Sequence, residues 1–156
     1  FSAEINQRFM DMLSLEDADV GGIGGTLAGN ALSIAAMRAT LEQVLTPAAY
    51  ETTLSLAERY ETGVVDVIQR WELPWIVKRL GGRVEYWFRQ APPHNGGEAA
   101  AAVDAELDRY MHLFALNRRI LMTPFHNMAL MSPLTTEADV DVHTQVFEEA
   151  VRSLFG

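Results

Sequence analysis

The segment Gly24-Gly25-Thr26-Leu27-Ala28-Gly29-Asn30 runs straight into the helical pattern ALSIAAMRATLEQVL. Glycine-exposed N–H groups, one hydroxyl donor and a helix N-terminus together make a cradle for a phosphate or carboxylate. The segment is not a P-loop, because no Gly-Lys-Ser/Thr follows. It also lacks dinucleotide spacing, because Leu27 stands where the third glycine should be. A flexible turn ahead of a capped helix accounts for the same residues at least as well.

The four histidines, His94, His112, His126 and His143, show no paired ligand spacing, so no metal site is expected. Surface or core roles suit His94, His112 and His143. His126 and Asn127 differ, because they lie in the apolar run ILMTPFHNMALMSP. Polar side chains there must find partners or face a cavity, and satisfied core residues and pocket lining are equal readings. No Gly-x-Ser-x-Gly elbow and no cysteine occurs, so hydrolase chemistry is unsupported. Eleven arginines accompany a single lysine, Lys78, so Schiff-base chemistry within this chain would need Lys78. Arg79, Arg83 and Arg89 are able to grip a carboxylate bidentately, although pairing with neighbouring glutamates is the simpler expectation for each.

The elements that must position these residues follow from periodicity. Ile5, Phe9, Met12 and Leu13 space a short first helix behind Ser2. Ile34, Met37, Leu41 and Val44 predict a buried helix after Asn30, its alanines allowing close neighbours. Thr46-Pro47 restarts a long helix to about Trp71, since threonine caps and proline is tolerated at the first helical position. Leu73-Pro74 ends it. WIVKRL and RVEYWFRQ then read as two strands joined at Gly81-Gly82, with Val84, Tyr86 and Phe88 on one face and Arg83, Glu85, Trp87 and Arg89 on the other. A helix is expected from Glu98 to about Asn117, two short strands around Pro124, and a last helix from Thr135 or Thr136. The sum is an α+β pattern, a small sheet covered by helices.

At 156 residues, 49% apolar and 21% charged, the chain has the composition of a folded domain. A net charge of −9 opposes phosphate backbones and anionic lipid, so neither nucleic acid nor membrane is an expected partner. The uncharged stretch from Val20 to Met37 holds five glycines and reads as loop then helix, not as a membrane span. The absence of cysteine is compatible with a reducing cytoplasm.

GGTLAGN followed by ALSIAAMRATLE resembles the Gly-Thr-x-x-Gly-Asn-Pro segment, with its alanine-rich helix, of class III pyridoxal-phosphate-dependent aminotransferases. FSAEI looks like the segment just after the cofactor lysine, and the order of elements from Thr46 onward is similar to the family's C-terminal small domain. MTPFHNMALMSPLTTEADVD resembles the end of the glutamate-1-semialdehyde aminomutase-like branch. The resemblance covers essentially the whole chain, and only the Gly-Thr segment is specific by itself. It implies the C-terminal part of a fold-type I transferase, with residues 1–45 closing the large domain and its connecting helix and residues 46–156 forming the small domain, whose short sheet is mainly antiparallel.

By that resemblance Thr26 donates to the phosphate of pyridoxal 5'-phosphate bound mainly by the second subunit of a cytoplasmic homodimer. Gly25 and Leu27 supply backbone contacts, and His126 and Asn127 line the entrance for an amino acid or amine. Ala31 replaces the family's proline, and Met128 stands where the aminomutases carry glutamate, so the expected activity is amino-group transfer. The cofactor lysine and the aspartate facing the pyridine nitrogen lie upstream of residue 1 in the family, and no catalytic residue is expected in this chain. Residue 1 being Phe, the chain is expected to be a C-terminal fragment that cannot transaminate alone. The alternative is a non-enzymatic α+β module that binds a small anion at the Gly-Thr loop or mediates subunit assembly.

Overall fold

The computed structural model describes residues 29–123 and 126–156, and the helix expected behind Ser2 lies outside them. The chain divides into two compact units, Phe1–Arg38 and Ala39–Gly156. Helix α1, Ala31–Gln43, crosses that boundary. Its spacing predicts burial, yet none of its residues is buried, and Ile34, Met37 and Leu41 are 49%, 57% and 56% exposed. Periodicity marks a stripe able to be buried, but what covers the stripe is a tertiary matter.

Helix α2, Pro47–Arg70, begins as its sequence predicts. Thr46 is the N-cap, its hydroxyl oxygen accepting from the Ala49 N–H at 3.3 Å, and Pro47 fills the first turn. Its buried residues Thr53, Leu56, Ala57, Tyr60, Val64, Val67 and Ile68 recur every three or four positions and so face one side. The helix stops at Trp71, and Glu72 turns left-handed at φ 50 ahead of Pro74.

Strands β1 (Ile76–Leu80) and β2 (Arg83–Trp87) form the expected hairpin, Ile76 opposite Trp87 and Leu80 opposite Arg83. Gly81 takes φ 59 in the turn, a conformation open to glycine without steric cost. The helix expected from Glu98 to Asn117 is two helices, α3 (Gly96–Ala100) and α4 (Ala105–Leu116). Asn95 caps the first and Asp104 the second, Asp104 accepting from the Leu107 N–H at 3.0 Å. An aspartate that can hold a backbone N–H starts a helix more readily than it continues one.

Only one of the two strands expected near Pro124 is found among the described residues: β3, Met128–Leu130, antiparallel to β2 with Val84 opposite Ala129. In the irregular chain before it, Met122 is 8% exposed and Ile120 packs on the core cluster, whereas Leu121 stays 81% exposed. Helix α5, Glu137–Phe155, has a capping box in which Thr136 and Asp139 satisfy each other's backbone N–H groups.

The sheet order is β1-β2-β3, and the core lies where α2, α4 and α5 meet it. Val64, Val84 and Val151 are wholly buried there, and Trp75, Tyr86, Phe88 and Phe147 meet ring to ring. Burying each such side chain contributes about 1.5–3 kcal/mol. This is the helix-covered antiparallel sheet of an α+β fold.

Candidate functional site

Gly25, Thr26 and Leu27 lie outside the described residues. Just beyond them in sequence, Gly29 takes φ 75, and Asn30 caps α1 by accepting from the Ser33 N–H at 3.0 Å while its amide donates to Ser33 Oγ at 2.9 Å. A capped helix with no acidic residue in its first turn therefore begins directly after the Gly-Thr segment. Its positive end fits an anionic group such as a phosphate. Ala31 opens the helix directly behind the Asn30 cap.

His126 and Asn127 are brought together with Arg83 and with two carboxylates, Glu85 and Asp108, that sequence reasoning passed over. His126 Nδ1 lies 3.4 Å from Glu85 Oε1, and Arg83 Nη2 donates to Glu85 Oε2 at 2.6 Å. Glu85 alternates onto the polar face of β2, yet it is only 7% exposed. Its burial is supported by the guanidinium and the ring it touches.

Asn127 continues the sheet as its carbonyl oxygen accepts from the Tyr86 N–H at 3.1 Å, and its side chain Nδ2 donates to Asp108 Oδ1 on α4 at 2.5 Å. The same side chain leaves Oδ1 buried with no partner. A buried acceptor left unmet costs about 1–3 kcal/mol. Asn127 is thus satisfied at its amide nitrogen and unpaired at its buried oxygen. Burial holds the Asp108 carboxyl above its ordinary range, against the opposing pull of the Asn127 hydrogen bond. Thr123 and Met128, which bracket the pair, line a cleft of about 210 Å³ that Tyr60 and His143 also border.

The remaining candidates settle into structural roles. His143 is a core residue: Tyr60 Oη and His143 Nε2 are 3.1 Å apart, the rings 4.4 Å, and burial brings the imidazole pKa down to about 4. Its Nδ1 has no partner. His94 Nδ1 sits 3.0 Å from Glu98 Oε2 on the surface. Arg79 pairs with Glu61 at 2.6 Å, Arg83 with Glu85, and Arg89 donates to the Glu98 carbonyl at 3.2 Å, so each hairpin arginine already has a partner within the chain. Lys78 is exposed in the middle of β1, opposite Glu85. Among the described residues no cluster of three histidine or acidic side chains is arranged to hold a metal, and no helix is long and apolar enough to cross a membrane.

No family model matches the chain. Its fold matches an omega-transaminase from Sphaerobacter thermophilus with a TM-score of 0.69 at 21% identity, over 99% of this chain and 34% of that one. A glutamate-1-semialdehyde-aminomutase from Pseudomonas aeruginosa PAO1, solved in complex with PMP, superposes with a TM-score of 0.80 at 42% identity, covering 98% of this chain and 35% of its own. The fold is that of PLP-dependent aminotransferases. Sequence narrows the class: glutamate-1-semialdehyde 2,1-aminomutase 1 of Staphylococcus epidermidis is 31% identical over 137 residues, 86% of this chain and 32% of that protein. The chain fits a C-terminal segment of a class III aminotransferase of the glutamate-1-semialdehyde aminomutase-like branch, and it spans about a third of the length of the curated relatives it matches.

Proposed function

We propose that this chain is the small-domain part of a PLP-dependent transferase that moves an amino group between an amino acid or amine and a keto acid or aldehyde. The observation that carries the reading is the superposition of 98% of the chain on the Pseudomonas aeruginosa aminomutase at 42% identity. Pyridoxal phosphate, bound in the whole enzyme, supplies the electron sink for such chemistry. This chain's residues would bind and orient. Thr26 would donate its hydroxyl to the cofactor phosphate of a second subunit, with Gly25 and Leu27 offering backbone N–H groups beside it, a task suited to the helix start at Ala31. His126 and Asn127 would form part of the substrate entrance, held by Glu85 and Asp108. A homodimer in the cytoplasm is the assembly this reading expects.

The chain by itself is proposed to be inactive. Its one lysine, Lys78, lies exposed on β1 opposite Glu85, and by the family resemblance it is not the lysine that holds the cofactor. Intact mass of all polypeptide in a sample, taken under denaturing conditions after borohydride reduction, tests the reading. A larger polypeptide carrying a reduced cofactor adduct supports it. If only the 17.3 kDa chain is present and unmodified, the material stands without cofactor chemistry, and an anion-binding or assembly module becomes the better description. In the full-length enzyme Thr26→Ala should weaken cofactor binding about tenfold or more, the loss expected for one charge-assisted hydrogen bond, without unfolding the protein.

A further inference from the structure

A cleft of about 270 Å³ runs along the β1–β2 hairpin, and its charge is opposite to that of the chain. The chain carries −9, yet Lys78, Arg79 and Arg83 line this cleft against a single carboxylate, Glu85. Two of the three cations are neutralised, since Arg79 Nε donates to Glu61 at 2.6 Å and Arg83 Nη2 to Glu85 Oε2. Both oxygens of Glu85 are engaged, because His126 Nδ1 stands 3.4 Å from Oε1. Lys78 lies opposite Glu85 in the sheet register, but its exposed ammonium has no hydrogen-bond or ion-pair partner among the described residues. One positive charge is thus left uncompensated. Arg83 also keeps N–H groups free, because a guanidinium carries more donors than one carboxylate oxygen can engage. Beside these cations the cleft is walled by half-buried Trp87, Pro92 and Pro93, which offer flat apolar surface on which a ring can lie.

We propose that this cleft binds an aromatic carboxylate, its ring against Trp87 and the two prolines and its carboxylate bonded by the Lys78 ammonium and the free N–H groups of Arg83. One uncompensated cation matches one negative charge. A phosphate dianion would bring a second charge against the field of Glu85 with no cation left to meet it. An uncharged ring forfeits the ammonium, and a small anion without a ring forfeits the apolar wall. The ammonium is exposed, so its share of the affinity is modest and screened by salt, and the buried ring supplies the rest. The site does not depend on the transferase reading.

Two measurements test this. The indole N–H of Trp87 is followed by NMR in the labelled 156-residue chain as phenylacetate, phenethyl alcohol, acetate or phenyl phosphate is added. Phenylacetate should give a saturable shift, and its affinity should fall about fivefold in Lys78→Gln, a change at an exposed side chain that leaves the fold intact. Phenethyl alcohol has the ring without the charge and acetate the charge without the ring, and each should bind about fivefold or more weakly than phenylacetate. No shift, a loss of less than about twofold in Lys78→Gln, or equal binding of either half-ligand overturns the site. Tighter binding of phenyl phosphate overturns its assignment to a singly charged carboxylate. In the full-length enzyme, saturation transfer from the protein to the ring protons of phenylacetate should show the same dependence on Lys78. A transfer that is absent there, or that Lys78→Gln leaves unchanged, overturns the cleft as a site of the enzyme, while cofactor loading by the same enzyme tests the transferase reading separately.

Discussion

At the scale of single residues, the sharpest consequence lies at His143. Burial lowers its pKa from 6.5 to about 4, so the folded chain holds the imidazole neutral where the unfolded chain has begun to bind a proton. The unfolded state therefore takes up more protons between those two values, and stability falls as pH drops through the window. The full contribution is present above about pH 6.5, and about 3 kcal/mol is lost by pH 4. Urea unfolding at pH 7.5 and pH 4.5 should show this loss, and a chain equally stable at both values would contradict the buried neutral imidazole. Tyr60→Phe should cost about 1–3 kcal/mol at pH 7 by leaving His143 Nε2 without its partner, measured the same way. Residue type alone reveals none of this. His143 sits at the apolar spacing of α5, which is compatible with burial, but its partner is 83 residues away in sequence.

At the scale of elements, helices α2 and α5 approach so closely that Gly63 is required. A Cβ built at Gly63 would stand 2.6 Å from Thr144 Oγ1 and 2.9 Å from Thr144 Cγ2. Gly63→Ala should therefore destabilise by about 1–3 kcal/mol despite alanine's better helix propensity, because overpacking outweighs the propensity gain of about 1 kcal/mol. Thr144→Ala made in the same chain should recover much of the loss, since the clash is with that side chain. Thermal unfolding of the two single variants and the double variant reads the coupling, and strictly additive effects would refute the contact. Ion pairs run along the same seam, Arg59 to Asp141 at 2.7 Å and Arg70 to Glu148 at 2.5 Å, but both are exposed enough to contribute little. The capped starts of α2 and α5 are legible in the sequence, because Thr46-Pro47 and Thr136 act on N–H groups within one turn. The division of α3 from α4 is not, since Val103, Leu107 and Met111 keep helical spacing across the break that Asp104 makes.

At the scale of the whole molecule, apolar side chains are left uncovered. Leu32, Ile34, Met37 and Leu41 are exposed on α1, and Leu80, Leu121, Leu130 and Leu134 are 60–89% exposed in the second unit. A chain that spans about a third of its relatives has fewer elements with which to cover such residues. The isolated chain should associate with rising concentration in sedimentation velocity, and Leu80→Glu with Leu130→Glu should reduce that association. A monodisperse chain at high concentration that binds inorganic phosphate would favour the small-anion module instead. The features readable from the order of residues are local and periodic: the Gly-Thr segment ahead of a helix, the caps, the Gly81 turn, the alternation of β2 and the stripe of α2. Each depends on residues within a few positions of one another, or on the fixed periods of 3.6 and 2. Long-range packing settles the rest: Glu85 is buried against His126, α1 carries its apolar stripe uncovered, and Asp108 turns the amide of Asn127. Those outcomes depend on contacts between residues 19 or more positions apart or on what covers a face, and no local spacing encodes them.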